Sequence, residues 1–99
     1  MTESQLKSKV KKMIREEFPD VWAQKICDRY TSALPDMFLC CWGIFVAIEL
    51  KTPIGRLAPL QDYVLKCIRK AGGIAGVARN VEEARQIILE ARERVEKIR

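Results

Sequence analysis

Asp36, Glu49 and Lys51 are the residues whose types and spacing could do chemistry. Two apolar runs, 36–41 and 44–51, flank a predicted turn at Trp42-Gly43. If the runs pair as a hairpin that is symmetric about this turn, Asp36 lies directly opposite Glu49, with Cβ atoms about 4.5–5.5 Å apart on one face. Lys51 is two residues beyond Glu49 and therefore points to the same face.

Two opposed carboxylates repel each other, so a fold that keeps them needs a shared proton, a cation or a metal ion as compensation. Oxygen ligands at this spacing suit a hard divalent ion, Mg²⁺ or Mn²⁺. A lysine beside such an ion could orient a water or stabilise charge on a phosphoryl oxygen. The alternative is that Glu49 and Lys51 are surface residues at a strand end and that Asp36 is a turn residue after Pro35. The periodicity leaves both interpretations open.

The composition limits the class of protein. The chain has 99 residues, with 18 Lys plus Arg against 13 Asp plus Glu, which gives a formal charge of +5. We expect a single domain over residues 1–99. A hydrophobic content of 48% excludes a disordered chain, and the positive excess fits a polyanionic partner. The absence of His excludes His-based zinc sites and Ser-His-Asp triads.

Neither a membrane span nor a secretory signal is expected. The longest nearly uncharged apolar run, 37–50, is shorter than the roughly 20 residues that cross a bilayer. The N-terminal residues are polar and charged, unlike a signal peptide. We therefore expect a cytoplasmic protein with no membrane partner.

Hydrophobic periodicity and capping signals predict the element order α-β-β-β-α-β-α. Thr2 and Gln5 form a capping box before the first helix, and Pro59 and Gly72-Gly73 bound the second. The predicted elements are a helix over 3–17, strands over 21–27, 36–41 and 44–51, a helix from 59 to 71, a strand over 74–79 and a helix over 81–97, with a loop over 28–33.

The same periodicity predicts which helix faces are buried. Glu3 falls on the apolar stripe of the first helix, where a carboxylate needs a partner. The solvated side of that helix is predicted to carry its basic residues, Lys7, Lys9, Lys11, Lys12 and Arg15. The second helix is predicted to turn five residues inward, namely Leu60, Val64, Cys67, Ile68 and Ala71.

The residue types of the motif are more specific than its spacing. Pro35-Asp36 followed by Glu49-Leu50-Lys51 is a PD…ExK arrangement, which resembles the PD-(D/E)xK nuclease superfamily. A longer string resembles the VRR-NUC family, the virus-type replication-repair nucleases, over about residues 3–85. The string comprises Ser32-Ala33-Leu34-Pro35-Asp36, Gly43-Ile44-Phe45, Ala47-Ile48-Glu49-Leu50-Lys51, Gly55-Arg56, Gln61, Ala71-Gly72-Gly73 and Val77-Ala78-Arg79. This resemblance implies an α/β (α+β) restriction-endonuclease-like fold, with a mixed central sheet flanked by helices.

The resemblance also implies roles for particular residues. Asp36 and Glu49 match the metal-binding carboxylates, with the backbone carbonyl of Leu50 as a further ligand. Lys51 matches the catalytic lysine, and Gln61 matches the glutamine that opens the next helix. Glu3 matches a helix-one glutamate that acts on the metal directly or through water. A plain helix-surface Gln61, and a Glu3 that is favoured by the helix dipole alone, remain alternatives.

Residues that could contact DNA surround this motif. Thr52 and Arg56 lie in the loop after Lys51, where Arg56 could hold a phosphate. Lys66, Arg69 and Lys70 on the second helix could extend a track for the backbone, although an ordinary solvated helix face would have the same composition. The family usually has Gly where this chain has Ala33, and that difference puts substrate fit in question more than the fold.

The function expected from the resemblance is a Mg²⁺- or Mn²⁺-dependent, structure-selective DNA endonuclease, similar to a Holliday-junction resolvase, in a bacterial or phage-infected host cell. A flap or single-strand nickase with the same site and a non-catalytic, basic, dimeric DNA-binding module are the alternatives. A homodimer is expected, through the C-terminal helix and the sheet region. The last helix supports this because it carries a heptad seam of Val81, Ala84, Ile88, Ala91, Val95 and Ile98.

Overall fold

The computed structural model describes residues 1–27 and 33–98 and has the predicted element order. The elements are α1 (Glu3–Glu17), β1 (Trp22–Lys25), β2 (Met37–Cys41), β3 (Ile44–Leu50), α2 (Pro59–Lys70), β4 (Ile74–Ala78) and α3 (Val81–Ile98). The mixed α/β class is therefore confirmed. The predicted loop over 28–33, apart from Ala33, and Ser32 of the quoted string lie outside the described residues. No helix in the described ranges is long and apolar enough to cross a bilayer.

The sheet has the strand order β1-β2-β3-β4. The first two pairings are antiparallel, and β3 pairs with β4 in parallel through the α2 crossover. Met37 lies opposite Ile48 and Cys41 opposite Ile44, so the hairpin is symmetric about Trp42-Gly43 as predicted. Trp42 and Gly43 both have positive φ, 55° and 90°, which matches the twist of a two-residue hairpin turn.

The two faces of the sheet are covered unequally. Alternate residues of β3, such as Val46, Ile48 and Leu50, pack against α1 and α3 and form the main core. The opposite face of β3, which includes Ala47, packs against α2 in a much smaller cluster with Leu65 and Ala75. This second face also carries Glu49, because Glu49 is two residues from Ala47 in the strand.

The predicted buried face of α2 was wrong at three of its five residues. Leu65 is the buried residue of α2, and Ile68 is half-buried, whereas Leu60 is 52% exposed and Cys67 and Ala71 are exposed as well. The Nε of Arg69, near the end of α2, donates to the carbonyl of Ala75 in β4, 2.8 Å away. The apolar stripe of α2 is wide, and periodicity could not show which of its edges contacts the sheet.

The first and last helices, α1 and α3, both begin with side-chain caps. The hydroxyl of Thr2 accepts from the backbone N–H of Gln5, while the Gln5 side chain accepts from the backbone N–H of Thr2, as the capping box predicted. Oδ1 of Asn80 accepts from the N–H of Glu83, 2.8 Å away. These caps fix where α1 and α3 start, and the start of α1 borders the candidate site.

Candidate active site

Asp36 and Glu49 meet on the sheet face that α2 partly covers. Asp36 comes immediately before β2 and Glu49 is the next-to-last residue of β3, so the hairpin register continues to this pair. Glu49 is 3% exposed and is the one buried charged or polar residue in the described ranges. The side chain of Asp36 is 17% exposed. The surface alternative for Glu49 therefore does not hold.

The two carboxyl groups are hydrogen-bonded to each other. Burial, together with the hydrogen bond to Asp36 and its negative charge, raises the pKa of Glu49 to about 8. Burial also disfavours the ionised form of Asp36. The hydrogen bond from Glu49, the N–H of Leu50 at 2.7 Å and the ammonium of Lys7 outweigh that effect and lower the pKa of Asp36. The pair therefore shares one proton at neutral pH, the response expected of adjacent like charges.

Lys7 is a member of the site that sequence reasoning missed. Its Nζ lies 3.2 Å from Oδ1 of Asp36 and 3.7 Å from Oε1 of Glu3. Burial alone would lower the pKa of Lys7, but Asp36, Glu3 and Glu49 raise it. The prediction that Lys7 lies on the solvated side of α1 was wrong. The available signal was its position four residues after Glu3, which places both on one helix face.

All of the predicted catalytic side chains line one cavity of about 200 Å³, namely Glu3, Asp36, Glu49, Lys51 and Gln61, together with Ile26 and Leu34. Lys51 follows β3 directly, and its backbone N–H donates to the carbonyl of Ala78 in β4, 3.1 Å away. Glu3 reaches the cavity from the first turn of α1, where it is exposed rather than buried. The cavity thus draws on α1, β2, β3 and α2.

Gln61 enters the cavity from the start of α2. Its Oε1 accepts from the backbone N–H of Ala58, 2.9 Å away, and so caps the helix. Since the oxygen is engaged, the amide NH₂ is the group that Gln61 offers to a ligand.

The donor set fits a hard divalent cation. Asp36 and Glu49 present carboxylate oxygens in contact, and a bound cation would replace their shared proton. The described residues contain no group of three or more His, Cys, Asp or Glu side chains that could hold a metal ion, so Glu3 is not placed as a third direct ligand. Mg²⁺ commonly binds through one or two carboxylates and keeps several waters, which this site satisfies. The ligand role of the Leu50 carbonyl stays a prediction.

Arg79, the residue after β4, holds the loop that follows Lys51, and it is the second residue that sequence reasoning did not single out. Nη1 of Arg79 donates to the carbonyls of Thr52 and Gly55, at 2.7 and 2.6 Å. Arg56 is exposed at the end of this loop. The sequence shows Arg79 only as part of a motif and does not indicate its role, because its two acceptors are 24 and 27 residues away in sequence.

The structure does not bring the predicted DNA contacts of α2 into the cavity. Lys66 pairs with Asp62 at 2.8 Å, Arg69 donates to the carbonyl of Ala75, and Lys70 is exposed. None of these three lines the cavity. Ala33 is buried, and the effect on substrate fit of Ala33 in place of the family's Gly stays a prediction.

A comparison with solved structures finds a similar architecture. The chain superposes on a structure described as "VRR_NUC domain" with a TM-score of 0.67 and 21% sequence identity, covering 89% of this chain and 96% of that one. The chain has the fold of a VRR_NUC domain. No family model matches the sequence, and no curated protein matches it. The VRR_NUC fold therefore confirms the architecture implied by the motif, and the function has to be argued from the site.

Proposed function

We propose that this chain is a Mg²⁺- or Mn²⁺-dependent DNA endonuclease of the VRR-NUC kind. The observation that carries the proposal is the Asp36–Glu49 pair, which is buried, in contact and within one cavity that Lys51 and Gln61 also line. Ionisation of both carboxylates costs stability unless a cation binds between them, and the position of the pair on a VRR_NUC fold supports phosphodiester hydrolysis.

The chain's residues divide the chemistry as follows. Asp36 and Glu49 would hold the metal ion, with Glu3 acting through a bound water. A divalent cation supplies Lewis-acid polarisation of the phosphoryl oxygen and a more acidic water. The ammonium of Lys51 orients the attacking water or donates to a non-bridging phosphate oxygen, where negative charge develops. The amide of Gln61 donates to the same group of oxygens.

Branched DNA with two symmetric cuts is the proposed substrate, as for a Holliday-junction resolvase. The net charge of +5 supports a polyanionic substrate, and two sites at a fixed spacing require a homodimer. Two uncovered apolar surfaces support dimerisation. One is the end of α3, where Ile98 is 74% exposed. The other is the row Trp22, Cys40 and Phe45, which crosses three strands beside α2.

The alternatives differ in what they require of the site. A flap or single-strand nickase uses the same residues but needs only one copy of the chain. A non-catalytic DNA-binding module gains nothing from a buried carboxylate pair, because the pair repels phosphate and destabilises the fold. The buried Glu49 therefore favours an enzyme.

The test is cleavage of labelled junctions, flaps, nicked duplexes and single strands with Mg²⁺, Mn²⁺ or EDTA. We expect cleavage with either ion, none in EDTA and none by Asp36→Asn under any condition. Preferential, paired cutting of junctions supports the resolvase-like assignment, and cutting confined to flaps or single strands supports the nickase. Failure of the wild-type protein to cut any of these substrates with metal present would remove the proposal.

A further inference from the structure

We propose that a groove along α1 binds the sugar–phosphate backbone of the strand that is cut, on one side of the scissile phosphate. The inference rests on the proposed nuclease function and assigns part of its substrate. The α1 groove has a volume of about 360 Å³ and lies between the second half of α1 and the edge strand β1. Its rim carries Lys11, Arg15 and Lys25, and its floor includes Ile14, Val21 and Met37.

The charge of the groove is uncompensated. No Asp or Glu among the described residues lines it, and none of Lys11, Arg15 and Lys25 makes an ion pair with another described residue. Several cations elsewhere are paired, for example Lys66 with Asp62 and Lys97 with Glu93. Cations that converge on one groove without carboxylate partners favour an anionic ligand.

The linings of the groove and of the catalytic cavity are neighbours in the chain. Lys25, the last residue of β1, lines the groove, and the next residue, Ile26, lines the cavity. Met37, the first residue of β2, lines the groove, and the preceding residue, Asp36, lines the cavity. Helix α1 reaches both, because Glu3 in its first turn lines the cavity and Lys11 and Arg15 line the groove.

A row of cations on α1 runs from the catalytic carboxylates to the groove. Lys7, Lys11 and Arg15 are spaced by four residues, which puts them in one row on the helix with steps of about 6 Å. Lys7 contacts Asp36 at one end of the row, and Lys11 and Arg15 line the groove beyond it. A regular row of cations that starts at the catalytic carboxylates matches a chain of phosphates better than an isolated anion.

The shape and floor of the groove indicate one backbone rather than a whole duplex. Its walls are a helix and a strand of the same domain, and its floor is apolar, which suits sugars and unstacked bases. The competing track along α2 lacks these features, because Lys66 is ion-paired, Arg69 donates to the backbone of β4 and neither lines the cavity.

The experiment measures binding of a fluorescent single-stranded oligonucleotide and of a flap in EDTA, as a function of salt. The variants are Lys11→Gln/Arg15→Gln on α1 and, on the opposite wall, Lys25→Gln. The matched control is Lys9→Gln/Lys12→Gln, which removes the same charge from exposed positions of α1 outside the groove. Circular dichroism confirms that each variant is folded.

We expect the α1 double variant to bind about tenfold more weakly. The slope of log affinity against log salt should shrink by about 0.7 for each phosphate that the variant no longer neutralises. Lys25→Gln should show a smaller effect of the same kind, and the control should bind like wild type. Wild-type affinity and slope in the groove variants, or equal weakening in the control, would overturn the inference. Because the assay needs no cleavage, it separates this inference from the nuclease proposal.

Discussion

Lys7 Nζ lies 3.2 Å from Oδ1 of Asp36, while Oδ2 of the same carboxylate accepts from the N–H of Leu50 at 2.7 Å. Both oxygens of Asp36 are thus engaged, and Glu49 is hydrogen-bonded to the same carboxyl group. Lys7 supplies a positive charge beside two carboxylates that would otherwise repel each other. It therefore does part of what a divalent cation would do at this site, and a metal ion bound there would compete with Lys7.

This competition predicts that Lys7→Met increases metal affinity. The substitution keeps most of the length of the side chain and removes the charge, so Mn²⁺ should bind roughly three- to tenfold more tightly, about 1 kcal/mol for a partly exposed ion pair. Isothermal titration calorimetry measures the affinity, with Lys9→Met as the matched control on the solvated side of α1. Unchanged or weaker Mn²⁺ binding in Lys7→Met would show that Lys7 does not compete with the metal.

The roles of Asp36, Glu49 and Lys51 in cleavage should be separable from any role in folding. Asp36→Ala, Glu49→Ala and Lys51→Ala should each lower cleavage by at least about 100-fold, because each removes a group that acts on the reacting phosphate. Each variant should remain folded by circular dichroism. The two carboxylate variants should bind DNA in EDTA as well as wild type or better, because a negative charge near the phosphate is gone. Full activity in any one variant would exclude that residue from the mechanism.

The raised pKa of Glu49 predicts an unusual pH dependence of the free energy of unfolding in the absence of metal. Its pKa is about 8 in the folded protein and 4.5 ordinarily, so the folded state binds the proton more tightly between these values. The stability that Glu49 contributes is therefore present below pH 4.5, is lost as pH rises towards 8 and changes no further above it. Asp36 has a lowered pKa, so its contribution is lost only in acid, as pH falls through that pKa.

Urea unfolding in EDTA between about pH 5 and 9 tests this dependence. The slope from Glu49 is at most about 1.4 kcal/mol per pH unit, and Glu49→Gln should abolish it. At about pH 8 Glu49→Gln should be more stable than the wild-type protein while being inactive. Saturating Mg²⁺ should stabilise the wild type and leave the variant unchanged. An identical pH dependence in both proteins would show that Glu49 is not the group responsible.

Arg79 should control the order of the loop after Lys51. Its Nη1 donates to the carbonyls of Thr52 and Gly55, so Arg79→Met leaves both without this donor. We expect faster trypsin cleavage after Arg56 in the exposed loop and about a tenfold loss of kcat, from misplacement of Lys51 rather than weaker DNA binding. Arg79→Lys should partly restore both. Unchanged proteolysis in Arg79→Met would mean that the loop is held by other contacts.

The sequence predicted those parts of the site that depend on local geometry. The hairpin register follows from the position of its turn, so the pairing of Asp36 with Glu49 was available from residue spacing alone. The contact of Lys7 with Asp36 and the contacts of Arg79 were not available in this way, because these partners are distant in sequence and depend on how α1 and the end of β4 are placed. The prediction of which edge of α2 is buried failed for a related reason. Its apolar stripe is wider than the strip of sheet that it covers.

The apolar sheet surface that α2 leaves uncovered leads to a prediction about assembly. We expect a homodimer near twice 11.4 kDa. The seam of α3 is largely used within the chain, because Ala84, Ile88 and Ala91 are fully buried and only its end remains open. The sheet face beside α2 leaves more apolar surface, including Phe45, which is 43% exposed and packs edge-on against Phe38. The sheet face should therefore contribute more to the interface than the end of α3.

Phe45→Lys and Ile98→Lys place the same charge on the two surfaces. Light scattering coupled to size exclusion, over a range of micromolar concentrations, should show that both weaken the dimer and that Phe45→Lys does so more, because it would bury an unpaired charge at the centre of the contact. Paired cutting of a junction should fall more than single nicking of a flap, since only the first needs two sites at once. A wild-type monomer that still cuts both strands of a junction in one binding event would rule out the dimer.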